Sequence, residues 1–89
     1  MSSYKNWDLQ IDPSVFKVLK KIPASNAENI LEAIQLLPVN PYFGDIQKMK
    51  DRHEAWRRRI GSYRIFYKIK MTEKVILVFH LERRNSKTY

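Results

Sequence analysis

The sequence predicts a single α+β domain over residues 1–89, in which a two-helix hairpin packs on one face of a largely antiparallel four-stranded sheet. The hydrophobic periodicities along the chain give the order strand, helix, helix and then three strands, which is typical of α+β folds. Short links between the last three strands favour hairpins, whose strands pair antiparallel. The chain has no cysteine, which excludes a disulfide-stapled scaffold and a thiolate metal site.

The first strand is expected over residues 4–11, where apolar and polar side chains alternate. A helix should begin at Asp12 and Pro13, because an aspartate accepts hydrogen bonds from the free amides of a first turn and a proline has no amide to lose there. Pro23 should end this helix, since a proline in the helix interior removes a hydrogen bond and clashes with the preceding turn.

A second helix is expected from Ser25, because Ser25 and Glu28 have the spacing of a capping box. Apolar residues then recur at helical spacing as far as Leu37. Residues 38–54 form an irregular connection, and a short edge element is expected within it around residues 46–50. The helices have apolar stripes that need a sheet to cover.

Three strands are expected over residues 55–60, 63–70 and 75–82. Gly61 and Ser62 separate the first two, and a two-residue loop with glycine first is typical of a type II′ turn. The tight turn fixes the pairing of the two strands, so the side chains that share each face can be worked out.

In this hairpin Arg59 lies opposite Arg64, and Arg57 lies opposite Phe66. Side-chain alternation therefore puts Arg57, Arg59 and Arg64 on one face of the sheet. We call it the open face, because the apolar residues of the other face, Tyr63 among them, are expected to lie under the helices.

The last strand extends this register. A turn centred on residues 72–73 predicts that Arg83 joins the arginines on the open face. By the same alternation Ile76, Val78 and His80 should face the helices, and His80 is then expected to be a core residue.

The charge is unevenly distributed. The net charge is +8, from 17 basic and nine acidic residues. Residues 1–47 hold four basic and five acidic residues and sum to −1, whereas residues 48–89 hold 13 basic and four acidic residues and sum to +9. This asymmetry indicates a polyanionic partner, either a nucleic acid or an acidic protein. No membrane-length apolar run and no signal-peptide pattern is visible, so we expect a cytoplasmic protein without a membrane partner.

The opposed arginines indicate what the open face binds. Like charges directly across a pair of strands destabilise a sheet, so stability alone gives no reason to place Arg59 opposite Arg64. A guanidinium group binds phosphate with two parallel hydrogen bonds and stays charged at all physiological pH values. A phosphate-binding function accounts for the arrangement.

Three stretches carry a family resemblance. Residues 48–51 read KMKD, residues 56–67 read WRRRIGSYRIFY and residues 83–89 read RRNSKTY. These stretches, with the element order over nearly the whole chain, resemble the RelE/ParE superfamily of toxins from bacterial and archaeal toxin–antitoxin modules. The resemblance implies an acidic antitoxin as partner, a toxin–antitoxin hetero-oligomer, and no metal or other cofactor.

Two branches of this superfamily act differently. RelE-like toxins enter the ribosomal A site and cut mRNA without a metal, by attack of a ribose 2′-OH on its own 3′-phosphate, whereas ParE-like toxins inhibit DNA gyrase and are not nucleases. The positions of the RelE branch are all filled here, which implies the catalytic set Arg57, Arg59, Arg64, Arg83 and Tyr89. The side chains expected to contact RNA are Lys48, Lys50, Arg58 and Arg84.

We therefore expect a ribosome-dependent mRNA endonuclease with the ribosome and mRNA as partners. A ParE-like gyrase inhibitor and a non-catalytic RNA-binding module are the alternatives. The chain also departs from the family pattern, because the strand positions of Arg57 and Arg59 are often lysine in the best-known members. A lysine in a cationic site can lose its proton and act as a base, whereas an arginine effectively cannot. Catalysis should then depend more on charge stabilisation and on ribosomal positioning of the mRNA, or be slower.

Overall fold

The computed structural model describes residues 7–50 and 52–84, and the elements below lie in that part of the chain. They are, in chain order, β1 (Asp8–Ile11), α1 (Pro13–Leu19), α2 (Ala24–Leu36), β2 (Ile46–Lys48), β3 (Ala55–Ile60), β4 (Tyr63–Lys70) and β5 (Val75–Arg83). The strands form one sheet in the order β1-β5-β4-β3-β2. The pair β1 and β5 is parallel, and the other three pairs are antiparallel.

The α+β class is confirmed, although the sheet has five strands where four were predicted. The additional strand, β2, lies at the edge position where a short element was expected. The two helices carry the chain from β1 at one edge of the sheet to β2 at the other. Among the described residues, no helix has the length and apolar character needed to cross a membrane.

Helix α1 begins as predicted. The carboxylate of Asp12 accepts a hydrogen bond from the backbone N–H of Ser14 at 3.0 Å, and Pro13 is the first helical residue. Hydrogen bonds from the Ser14 hydroxyl and from the Ser14 backbone N–H hold the pKa of Asp12 below its usual value. The helix ends at Leu19, before the expected end at Pro23.

The predicted capping box of α2 is wrong. The helix begins one residue earlier, at Ala24, and no side chain makes the capping hydrogen bond. Pro23 is the cap residue, with extended backbone angles of φ −56° and ψ 143°. Ser25 is therefore already inside the first turn, where its hydroxyl is no longer the cap that the spacing to Glu28 suggested.

The core lies between the helices and one face of the sheet. Helix residues such as Ile30 and Ile34 pack there against the apolar side of β4 and β5. The buried cluster consists of Val15, Ile30, Ile34, Leu37, Tyr63, Ile65, Tyr67, Ile69, Ile76, Val78 and Leu81. Neither of the two described helices packs against the opposite side of the sheet, as predicted, and this side is the open face.

The β3–β4 hairpin has the predicted register. Ile60 pairs with Tyr63, and Arg59 pairs with Arg64. Gly61, the first residue of the turn, has a φ of +57°. Ser62, the second, does not have a positive φ. Positive φ at the first turn residue alone is the type II′ combination, which only glycine adopts there without strain.

A β-bulge interrupts the pairing of β4 with β5. Lys70 pairs with Val75 as predicted, and the same register continues to Tyr67 opposite Val78. The next residue of β4, Phe66, pairs with His80, so β5 contains one additional residue, Phe79.

The additional residue reverses the side-chain alternation of β5 beyond it. Ile76 and Val78 face the helices as predicted. His80 does not, because it pairs with Phe66 on the open face and is exposed. The predicted position of Arg83 is also wrong, since Arg83 pairs with buried Tyr63 on the helix side and Glu82 takes the place opposite Arg64.

Candidate functional site

Three arginines of the β3–β4 hairpin lie on the open face. Arg59 and Arg64 are direct cross-strand partners, and Arg57 is opposite Phe66 two residues away. The side chain of Arg59 is 54% exposed and that of Arg64 is 30% exposed. The prediction that these three residues share one solvent-accessible face is confirmed.

A fourth arginine joins them from the end of β5. The backbone N–H of Arg84 donates to the carbonyl of Ser62, and its Nη1 donates to the carbonyl of Gly61 at 3.1 Å. The hairpin turn thus holds Arg84 beside the other three. We call Arg57, Arg59, Arg64 and Arg84 the arginine cluster.

The arginine cluster surrounds a cavity of about 260 Å³. Two polar side chains complete the wall, Asp45 and Gln47. Arg57 Nη2 donates to Gln47 Oε1 at 2.6 Å, which fixes this guanidinium group in the wall of the cavity. The four guanidinium groups of the lining suit a multiply charged oxyanion such as a phosphate group, and the cavity is large enough to hold one.

The carboxylates near the cavity do not neutralise it. Arg59 Nε is 3.8 Å from Asp45 Oδ2, and Arg64 Nη1 is 3.6 Å from Glu82 Oε2. These ion pairs are long and partly exposed, so each stabilises the fold by about 1 kcal/mol at most. Four guanidinium charges minus two carboxylate charges leaves a local excess of two positive charges.

The comparisons with known proteins agree with this description. The model of the family described as the ParE toxin of the type II toxin–antitoxin system parDE matches residues 9–87. Over 81 residues the chain is 32% identical to a curated protein of Methanocaldococcus jannaschii that carries the toxin name RelE1, a match that covers 88% of this chain and 90% of that protein. The chain belongs to the RelE/ParE superfamily of type II toxins.

Solved structures of RelE toxins share the toxin's fold. A chain of the archaeal RelE–RelB complex from Pyrococcus horikoshii matches with a TM-score of 0.79 and 25% identity, over 92% of this toxin and 99% of that chain. The isolated E. coli RelE toxin matches with a TM-score of 0.75 over 91% of this toxin and 87% of that chain. At 14% identity, the second match shows the fold alone.

Several predicted site residues lie away from the arginine cluster of the toxin. Arg83 is exposed on the helix side of the sheet, and Tyr89 lies outside the described residues. Lys48 pairs with Trp56 at the sheet edge, and it lines with Lys50 a separate depression next to Arg52. Of the predicted site residues, the four of the arginine cluster lie together around one cavity.

Arg58 packs beneath the loop before β2. It pairs with Ile65 on the helix side, and its Cζ lies 5.4 Å from the centre of the Phe43 ring. Its Nε and Nη1 atoms are buried and have no hydrogen-bond partner among the described residues. Gly44 leaves the space for this side chain, because a Cβ there would be 2.6 Å from Arg58 Nε. This position separates Arg58 from the open face.

His80 is a titratable residue of the open face that the sequence-based register placed under the helices. Its Nε2 lies 3.1 Å from Glu82 Oε1, while the other carboxylate oxygen of Glu82 faces Arg64. A signal was present in the sequence, since strict alternation would bury His80 and expose Leu81. When regular alternation would bury a polar residue and expose the apolar residue next to it, a bulge that reverses the alternation is indicated.

Proposed function

We propose that the toxin is a ribosome-dependent mRNA endonuclease that cleaves mRNA in the ribosomal A site. The observation that supports this most directly is the arginine cluster, which places four guanidinium groups around one cavity on the open face. A sheet surface that only had to be stable would not oppose Arg59 and Arg64. The 32% identity to a toxin named RelE1 supports the RelE-like reaction class over the ParE-like one.

The proposed reaction is a transesterification that requires no metal, as the family resemblance implies. The 2′-oxygen of a ribose forms a bond to the adjacent phosphorus, and the bond from phosphorus to the 5′-oxygen of the next nucleotide breaks. The 2′-hydroxyl loses its proton, the 5′-oxygen gains one, and the products are a 2′,3′-cyclic phosphate and a 5′-hydroxyl. The pentacoordinate transition state is dianionic, so fixed cations that are already in place stabilise it strongly.

The residues divide between charge stabilisation and positioning. We assign Arg64 to the charge of the transition state on the family resemblance, and Arg84 because the hairpin turn holds its guanidinium group beside the cavity. Arg57 and Arg59 bind the phosphate and orient the nucleophile. Tyr89 stacks on a base, an assignment that rests on the family resemblance alone.

The assignment of Arg84 changes the family-based expectation for Arg83. The bulge in β5 directs Arg83 to the helix side and leaves Arg84 at the cavity. We therefore expect Arg84→Ala to reduce cleavage more than Arg83→Ala. If Arg84→Ala cleaves mRNA at the wild-type rate, the stabilisation of transition-state charge would instead be assigned to Arg83.

An acidic antitoxin is the proposed protein partner. The P. horikoshii and E. coli RelE toxins have been solved in complex with RelB antitoxins. A toxin with a net charge of +8 attracts an acidic chain at long range, and salt weakens that attraction. Association with the product of the neighbouring gene should therefore weaken as the salt concentration rises.

Inhibition of DNA gyrase is a second candidate, favoured by the match of residues 9–87 to the ParE toxin family. In that case the arginine cluster would bind an acidic protein surface and no RNA would be cut. The two candidates differ in a product that can be observed directly.

The deciding experiment is cell-free translation with a toeprint readout, run beside a gyrase supercoiling assay. The wild-type toxin should give codon-positioned mRNA cuts and leave supercoiling unchanged, and Arg64→Ala should remove the cuts. Lys21→Ala is the charge-matched control, because Lys21 is an exposed cation next to α1. Intact mRNA with blocked gyrase would establish the ParE-like function, and intact mRNA with active gyrase would leave only RNA binding.

A further inference from the structure

A second cavity lies on the open face next to the arginine cluster. Its volume is about 330 Å³, and its lining residues are Met49, Arg52, Phe66, Phe79, His80 and Glu82. Glu82 joins the two sites, since one carboxylate oxygen faces His80 at 3.1 Å and the other faces Arg64 at 3.6 Å. A ligand that occupies the arginine cluster can therefore extend into this cavity.

The β-bulge creates the aromatic wall of this cavity. In a regular strand Phe79 and His80 would point to opposite faces. With Phe79 as the additional residue, both rings meet Phe66 on the open face, at centroid distances of 6.2 Å and 5.2 Å. We call Phe66, Phe79 and His80 the aromatic pocket. Bulges commonly redirect side chains next to functional sites.

Two cations lie near the Phe79 ring of the aromatic pocket. Arg52 Cζ lies 5.6 Å and Lys68 Nζ lies 5.8 Å from the centre of the Phe79 ring. Aromatic rings beside cations are the usual composition of a surface for single-stranded nucleic acid, because bases stack on the rings while phosphates pair with the charges. The charged and titratable groups Arg52, His80 and Glu82 suit the hydrogen-bonding edge of a base better than they suit an apolar side chain.

We propose that the aromatic pocket is a nucleobase subsite, which stacks one base of the RNA strand whose phosphate lies in the arginine cluster. This inference rests on the proposed function, because it takes RNA as the ligand of the open face. Phe79 is the stacking ring, since Phe66 is 8% exposed and largely covered whereas Phe79 is half-buried. An apolar side chain of a protein partner is the competing occupant.

The test measures binding of 2′-O-methyl RNA hexanucleotides, which lack the nucleophilic hydroxyl, by fluorescence anisotropy at low salt. One set of oligonucleotides lacks the base at each position in turn. For the wild-type toxin, removal of the base at one position should weaken binding roughly 5- to 150-fold, the range expected for one base stacked on one aromatic ring. Phe79→Leu should weaken binding of the complete oligonucleotide by a similar factor and should abolish the difference between base and abasic site.

Three controls keep the result specific. Phe79→Trp should retain the base preference, because it keeps a π surface. Phe16→Ala should bind as wild type does, because Phe16 is an exposed aromatic residue on α1. Thermal unfolding of Phe79→Leu, which keeps most of the apolar volume, checks that the variant is folded.

Two results would overturn the proposal. One is equal binding of the complete and abasic oligonucleotides by the wild-type toxin. The other is a Phe79→Leu variant that binds RNA normally but binds the cognate antitoxin more weakly, which would assign the pocket to a protein partner. A base preference lost in Phe79→Leu, together with uncut mRNA in the toeprint assay, would uphold the subsite and refute the endonuclease, so the two failures are distinguishable.

Discussion

The repulsion between Arg59 and Arg64 should be measurable as a coupling free energy. The two residues are direct cross-strand partners, and such partners have Cβ atoms about 5 Å apart. Guanidinium charges on these side chains can separate to about 6–8 Å, at which two like charges in water repel by roughly 0.5–0.7 kcal/mol. This repulsion destabilises the sheet on the open face, to which we assign phosphate binding.

A double-mutant cycle with Arg59→Gln and Arg64→Gln isolates this repulsion. Each single substitution also removes an ion pair, to Asp45 or to Glu82, but these losses cancel in the cycle. The destabilisation caused by Arg64→Gln should be about 0.5–0.7 kcal/mol smaller in the wild-type background than in Arg59→Gln. Urea unfolding gives the free energies, and a coupling of this size corresponds to about 2–5 °C in melting temperature.

Salt and a second cycle provide the controls. In 1 M NaCl the Debye length falls to about 3 Å, so the coupling should largely disappear. Arg57 lies opposite Phe66 and is farther from Arg64, so the cycle with Arg57→Gln should give a smaller coupling. A coupling of zero or of the opposite sign at low salt would show that Arg59 and Arg64 do not repel, and the argument that function maintains this pair would fail.

Three further predictions concern other parts of the toxin. Gly44→Ala should lower the free energy of unfolding by more than about 1 kcal/mol, because Gly44 has a φ of +95° and a Cβ would meet Arg58; an unchanged urea midpoint would contradict this. Burial raises the pKa of Tyr67 to about 12 from 10.0, so the folded toxin holds this proton more tightly than the unfolded chain, and its stability should fall as the pH rises through that interval. Tyr67→Phe should remove that pH dependence in urea unfolding, although it also loses the 2.7 Å hydrogen bond to the Pro41 carbonyl. Lys48→Ala should weaken ribosome binding most at low salt and make the slope of log K against log salt concentration shallower by about 0.7–0.9, because one phosphate contact is lost, while single-turnover cleavage stays nearly unchanged.

The sequence predicts those parts of the fold that local chemistry determines. Asp12 and Pro13 start α1 because a carboxylate cap and a missing amide act within one turn. Gly61 and Ser62 fix the register of the β3–β4 hairpin because a two-residue turn allows one pairing, and that register places Arg57, Arg59 and Arg64 together. Pairing in a tight hairpin requires no knowledge of the rest of the molecule.

The parts of the structure that the sequence does not predict depend on contacts between segments that are distant in the chain. The bulge at Phe79 interrupts the regular pairing of β4 with β5, but it allows Leu81 to be buried. Leu81 then belongs to the same core cluster as helix residues that are distant in the chain. Arg58 is covered by the loop that contains Phe43 and Gly44, a contact that periodicity cannot indicate. The parallel pairing of β1 with β5 likewise joins the two ends of the described chain.

Because of these distant contacts, the sequence predicts the composition of the site less accurately than it predicts the fold. The one-residue shift in β5 brings His80 and Glu82 to the open face, removes Arg83 from it and leaves Arg84 at the cavity. A sequence-based register extended through a strand of nine residues is reliable only as far as its first irregularity.

Single-turnover cleavage on pre-formed ribosome–mRNA complexes, with toxin in saturating excess, tests the endonuclease assignment most directly. Saturation removes differences in affinity, so the rate reports the chemical step. Loss of one preorganised charge at the transition state typically reduces a rate by about 10²–10³, and Arg64→Ala and Arg84→Ala should each show a loss of this size while Lys21→Ala cleaves as wild type does. If Arg64→Ala and Arg84→Ala both cleave at the wild-type rate under saturation, the arginine cluster is not the catalytic site.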